Sequence, residues 1–86
     1  MNRRELLRRL RTGGTQNVSF ADLQRLAEGC GFRLARVTGS HHIYHHPAVP
    51  RTLNLQPEGR QAKSYQVRQF LSLLDRYNLG LESDDE

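Results

Sequence analysis

At Gly29, Cys30 and Gly31 the chain changes period, and that change limits what it can fold into. Before it, Phe20, Leu23, Leu26, Ala27 and Cys30 recur at helical spacing, behind a start signal in which Ser19 is placed to cap and Asp22 stands three residues on. Val18 is placed to staple onto Leu23 across the first turn. After it, Phe32 to Thr38 favour an extended chain, Gly39 and Ser40 signal a turn, and His41 to His46 form a second strand stopped by Pro47. Thr52 to Gln56 read as a third strand, with Leu53 and Leu55 on one face and Thr52, Asn54 and Gln56 on the other. Ser64 is placed to cap a closing helix with the stripe Val67, Phe70, Leu71, Leu74 and Tyr77, ending near Gly80. The order helix, strand, strand, strand, helix predicts an α+β domain: a three-stranded antiparallel sheet with two helices on one face and the other face open to a ligand.

The ends of the chain differ in character. Residues 1–17 form a basic N-terminal extension, in which Leu6, Leu7 and Leu10 stand at helical spacing among five arginines before Thr12, Gly13, Gly14 and Thr15 break the pattern. A helix this short is marginal in water unless it docks, so an appendage on a flexible link is the expectation. Residues 18–81 make the main domain, and residues 82–86 an acidic tail expected to be disordered.

With 86 residues the chain has room for one core, which excludes a multidomain enzyme or a large cofactor cradle. No cofactor is expected. Residues 1–81 hold 13 Lys and Arg against five Asp and Glu, a formal +8, and a small cationic domain points first to a polyanionic partner, nucleic acid. A lone cysteine, no apolar run long enough to span a membrane and no signal peptide place the protein in the cytoplasm, with no membrane partner.

All four histidines fall between residues 41 and 46. His41 and His45, like His42 and His46, are four apart, a chelating spacing on a helix. On the strand predicted here four residues span about 13 Å, too far for one zinc ion. The chemistry that fits better is acid–base work, because imidazole titrates near neutrality and both accepts and donates a proton. RNA cleavage suits such a site: the substrate carries its own nucleophile, the ribose 2′-hydroxyl, so a proton shuttle and cations for the phosphate suffice. Alternation puts His41, Ile43 and His45 on one face and His42, Tyr44 and His46 on the other, and each set holds one apolar residue, so the inward face stays open at this point.

Around the histidines, Arg33, Arg36, Lys63 and Arg68 are candidate phosphate contacts, Lys63 first because it precedes the cap of the closing helix. Tyr44 and Tyr65 are candidates for stacking on a base, against the plainer reading of both as core residues. Ser40 is a candidate donor to phosphate, although Gly39 and Ser40 are first of all turn residues.

The element order, the strand beginning at Phe32, and the run Gly39, Ser40, His41, His42, Ile43, Tyr44 with His46 and Pro47 resemble the HicA toxin family over residues 19 to 79. The resemblance implies a fold like the double-stranded-RNA-binding domain, metal-independent cleavage of mRNA, and inhibition by a HicB-like antitoxin. It places the catalytic histidine directly after the glycine–serine pair, at His41, with His42 as the alternative seen in some members. The chain departs from the family in two places: the segment Ala62 to Phe70 replaces the usual glycine, threonine and leucine at the start of the closing helix, and the arginine-rich stretch before Val18 is additional. The alternatives are a noncatalytic RNA-binding module of the same fold and a domain whose sole partner is an antitoxin-like protein.

Overall fold

The computed structural model describes residues 2–82. Three helices, α1 (Arg3–Arg11), α2 (Phe20–Gly29) and α3 (Ser64–Arg76), accompany a sheet of β1 (Arg33–Thr38), β2 (His41–His45) and β3 (Leu53–Leu55), and a small hairpin of β4 (Pro57–Glu58) and β5 (Gln61–Ala62). The sheet is an antiparallel meander in the order β1-β2-β3. From α2 to α3 the chain therefore follows the α-β-β-β-α order of a double-stranded-RNA-binding-domain-like fold, as the change of period predicts.

Local chemistry sets the boundaries. The Asp22 N–H donates to Ser19 Oγ at 3.3 Å, the cap read from the sequence. α2 ends where Gly31 takes φ +96, a left-handed conformation that an L-residue adopts only with strain. Gly39 turns β1 into β2 at φ +61. The closing helix differs from expectation: its N-cap is Lys63, which makes no side-chain cap bond, and Ser64 is the first helical residue. The reason lies in β5, which ends at Ala62 and leaves Lys63 as the extended cap residue, so the helix starts one residue earlier than a Ser64 cap would have it. α3 stops at Arg76, with Tyr77 as C-cap and Asn78 at φ +55.

Register defines the two faces of the sheet. His42 lies opposite Leu55, and Tyr44 opposite Leu53; Leu53, Leu55 and Tyr44 are buried, so this is the helix side. The core there combines Leu23, Leu26 and Ala27 of α2, Phe32, and Val67, Phe70 and Leu74 of α3. His41, Ile43 and His45 point to the opposite side, where no described helix packs. β1 is an exposed edge strand along its whole length, with an irregularity between Leu34 and Arg36 where its register slips.

The N-terminal extension is part of this core. Leu6 and Leu10 are buried, α1 packs on both α2 and α3, and three arginines of α1 are tied down. Arg3 Nε donates to the Arg25 carbonyl at 2.8 Å, Arg9 Nη2 to the Gln16 carbonyl at 2.6 Å, and Arg11 pairs with Asp75 at 3.2 Å. The glycine-rich break after α1 is thus a tight turn that folds the helix back, where a loose tether was expected. At the other end, the Glu82 N–H donates to the Gly29 carbonyl at 2.9 Å, and residues 83–86 of the acidic tail lie outside the described residues.

Cys30 sits in the core at 1% exposure, and burial pushes its thiol from 9.0 up to about 11 against the opposing pull of the Arg11 cation. The native protein should therefore resist iodoacetamide at pH 8 and label at once on denaturation, as mass spectrometry would show. Because the folded state holds this proton more tightly than the unfolded chain, the contribution of Cys30 to stability is complete below pH 9 and declines as pH rises through about 11. Rapid labelling of the native protein would place the thiol at the surface.

Candidate active face

The four histidines occupy four different settings. His46 is buried, its ring edge-on to Phe32 at 5.0 Å, with Nδ1 accepting the Ala48 N–H at 2.9 Å. His42 is half-buried on the helix side, edge-on to Phe20 at 4.9 Å, with Nδ1 donating to the Ser40 carbonyl at 3.0 Å. His45 is exposed near the end of β2. His41 alone is held by side chains across the open face of the sheet: Nδ1 meets the Asn54 carboxamide, with Oδ1 at 3.3 Å and Nδ2 at 3.0 Å, and Nε2 meets Gln56 Nε2 at 3.2 Å.

The partners of Gln56 favour one tautomer of His41. Gln56 Oε1 faces two donors, Lys63 Nζ and Gln66 Nε2, each at 3.4 Å, so the other end of its carboxamide, the NH2 group, is turned toward His41. In a neutral ring Nε2 therefore accepts from Gln56, Nδ1 carries the proton, and the bond at Nδ1 runs to Asn54 Oδ1. Gln66, only 5% exposed, anchors the arrangement by accepting the Gln56 backbone N–H at 2.7 Å. The result is a ring fixed at both nitrogens, with the basic Nε2 on the side of Lys63.

The other candidates divide. Arg36 lies opposite Ile43 and shares the open face with His41, and Thr38 lies directly opposite His41. Lys63 joins the histidine through Gln56. Gly39 and Ser40 form the exposed turn that starts β2, and the Ser40 carbonyl is engaged with His42. Arg68 is exposed on α3 and, among the described residues, shares no hydrogen bond with the His41 cluster. Arg33 folds back to the Glu28 and Phe32 carbonyls at 3.3 and 3.0 Å.

Tyr44 requires a correction. It is fully buried, its hydroxyl accepts from Gln24 Nε2 at 3.0 Å, and burial raises its pKa, so no ring face is left for a base. The pairing with Leu53 turns it inward. Tyr65, 48% exposed beside Lys63 and Ser64, keeps an accessible ring. Asn54, Gln56 and Gln66 went unassigned in the sequence; the polar face of the third strand was the available signal for the first two, and nothing in the helical pattern marked the third.

A three-stranded sheet backed by α2 and α3, with no described helix on its other side, defines the class: an α+β protein of the double-stranded-RNA-binding-domain-like kind. Within that class the model of the HicA toxins of bacterial toxin–antitoxin systems matches residues 20–75, just under two thirds of the chain, and the protein belongs to this family. The matched stretch runs from the first residue of α2 to the penultimate residue of α3 and leaves out α1. No curated protein and no solved structure matches the chain. Among the described residues no helix is long and apolar enough to cross a membrane.

Proposed function

We propose that this toxin is a cytoplasmic endoribonuclease that cleaves mRNA on the open face of its sheet without a metal ion, with His41 moving the proton. The observation that carries the reading is the fixing of His41 at both ring nitrogens, Nδ1 on Asn54 and Nε2 on Gln56, on a face that no described helix covers. Nε2 takes the proton of the ribose 2′-hydroxyl once the RNA displaces the Gln56 amide. The 2′-oxygen attacks phosphorus, the P–O2′ bond forms and the P–O5′ bond breaks. The 5′-oxygen leaves with a proton from a general acid, either a second group or His41 after it has been charged. The products are a 2′,3′-cyclic phosphate and a 5′-hydroxyl. Lys63 and Arg36 stabilise the charge that grows on the phosphate, and Tyr65 offers a ring to a neighbouring base.

His42 is the less suitable shuttle in this reading, since its ring is packed on Phe20 and its Nδ1 is committed to Ser40. The same cationic face is the surface for an acidic, HicB-like antitoxin to cover, which would block RNA and proton transfer together.

The test is cleavage of a long single-stranded RNA in excess EDTA, with end-group analysis of the fragments. Fragments ending in 2′,3′-cyclic phosphate are the expected result. RNA that is bound and left intact would replace the nuclease by a noncatalytic binding module, and RNA left both intact and unbound would leave only the antitoxin as partner.

A further inference from the structure

A second concavity opens beside the His41 cluster. It is a cleft of about 360 Å³ between β3 and the C-terminal half of α3, and Asn54, the partner of His41 Nδ1, forms part of its wall. Arg51, from the loop before β3, and Arg76, the last residue of α3, both line it and are exposed. Gln69 and Ser72 add polar groups from α3, and the buried Leu53 and Leu73 supply apolar surface. Among the described residues no carboxylate lines the cleft. Asp75, the one acidic residue of α3, is occupied by Arg11 of α1. Two guanidiniums without a carboxylate, over a partly apolar floor, select an anion that carries an apolar or ring component. The volume lies at the small end of the range for ligand pockets, about 300–1,000 Å³, and suits one nucleotide unit.

We propose that this cleft is a nucleotide subsite: the RNA strand whose scissile phosphate lies at His41 passes over Asn54 and places its next nucleotide between β3 and α3, its phosphate held by Arg51 and Arg76. The proposal rests on the reading of the His41 face as the RNA-cleaving face and adds a direction to the bound strand. Asn54 then has two contacts, the ring on one side and the strand on the other.

The experiment measures binding of a fully 2′-O-methylated nine-nucleotide RNA, which lacks the 2′-hydroxyl and is not cut, by fluorescence anisotropy across a salt series, for wild type, Arg51→Gln with Arg76→Gln, and Ser72→Glu. The double variant should bind about tenfold or more weakly, with the slope of log K against log salt reduced by about 1.4, the loss of two single-strand phosphate contacts. Ser72→Glu, which keeps both arginines and adds a carboxylate to the cleft, should weaken binding in the same direction. Arg8→Gln with Arg60→Gln removes two cations that do not line the cleft and should change affinity no more than about twofold. In cleavage assays the Arg51 and Arg76 variant should raise KM and keep kcat near wild type. Wild-type affinity and salt slope in both cleft variants would overturn the subsite while leaving the nuclease reading intact. Equal losses in the cleft double variant and the Arg8 and Arg60 control would also overturn it, reducing the effect to net charge. If the wild type binds this RNA yet cuts no substrate, the nuclease reading falls and the affinities still decide the subsite; if it binds no RNA at low salt, both fall.

Discussion

Replacing His41 by alanine is expected to slow RNA cleavage by about 10²–10⁴, the contribution typical of a positioned acid–base group, while RNA affinity stays within about threefold of wild type. The separation follows from where the residue sits. His41 is exposed, so its loss opens no cavity, and the melting temperature should stay within about 4 °C of wild type. Lys63 and Arg36 remain to hold the phosphate. His42→Ala supplies the contrast: it removes the ring packed on Phe20, so it should lower the melting temperature more and slow cleavage less than about tenfold. The opposite pattern, with His42→Ala inactive but folded and His41→Ala active, would transfer the chemistry to His42. Loss of folding in His41→Ala would make His41 a structural residue. Single-turnover rates, binding isotherms and thermal melts on the three proteins distinguish these outcomes.

The reason for expecting so much from one side chain is that the two amides that touch it, Asn54 and Gln56, lie outside the core. Asn54 and Gln56 are polar side chains aimed across a sheet face that nothing in the described chain covers, and Gln66 is a buried amide spent on fixing the end of β3. A sheet that needed only to be soluble could place threonine or lysine at 54 and 56. An apolar residue at 66 would pack in the core but would leave the Gln56 N–H without its acceptor. In kinetics, Gln56→Ala should therefore act as a positioning change, since it frees the ring at Nε2 and breaks its link to Lys63 while the histidine itself remains.

Legibility in the sequence followed the range of each interaction. The helix capped by Ser19, the turn at Gly39 and the strand stopped by Pro47 depend on residues within a few positions of one another, and each lies within a residue or two of the predicted place. The face of the histidine strand does not: alternation separates His41 from His42 but does not say which is inside, because Ile43 and Tyr44 lie on opposite faces. The pairing of Tyr44 with Leu53 and of His42 with Leu55 decides it, and register between strands ten or more residues apart is a tertiary property. The hairpin of β4 and β5 escaped for the same reason. It is two residues wide and is held from outside, by Ser19 bridging to Gln61 and the Ala62 N–H donating to the Val18 carbonyl at 2.8 Å. The His41 cluster joins residues 41, 54 and 66 from three elements with residues 56 and 63 from the connections, so the sequence offered its histidine and its lysine but not the amides between them.

The extension poses the sharpest contrast between spacing and packing, and its test is the double substitution Leu6→Ala with Leu10→Ala. A nine-residue helix followed by Gly13 and Gly14 has the pattern of an appendage, yet Leu6 and Leu10 are 2% and 1% exposed in the same core as Leu23 and Phe70. Each truncation of a buried leucine costs about 2–5 kcal/mol. The two residues stand one turn apart in one core cluster, so their effects should fall short of a full sum. Even so, a combined loss of about 4–8 kcal/mol approaches the whole stability of a domain this size, about 4–13 kcal/mol. The variant is expected to be largely unfolded or to melt far below wild type, whereas Arg8→Ala, on the exposed side of the same helix, should change stability by no more than about 0.5 kcal/mol. Thermal melts followed by circular dichroism, with amide exchange across residues 3–11, decide the matter. An unchanged melt with rapid exchange throughout α1 would return the segment to the status of a tether. A collapse of the fold would instead show that the unit that folds is larger than residues 20–75, and that this toxin completes its core with a helix from outside the family match.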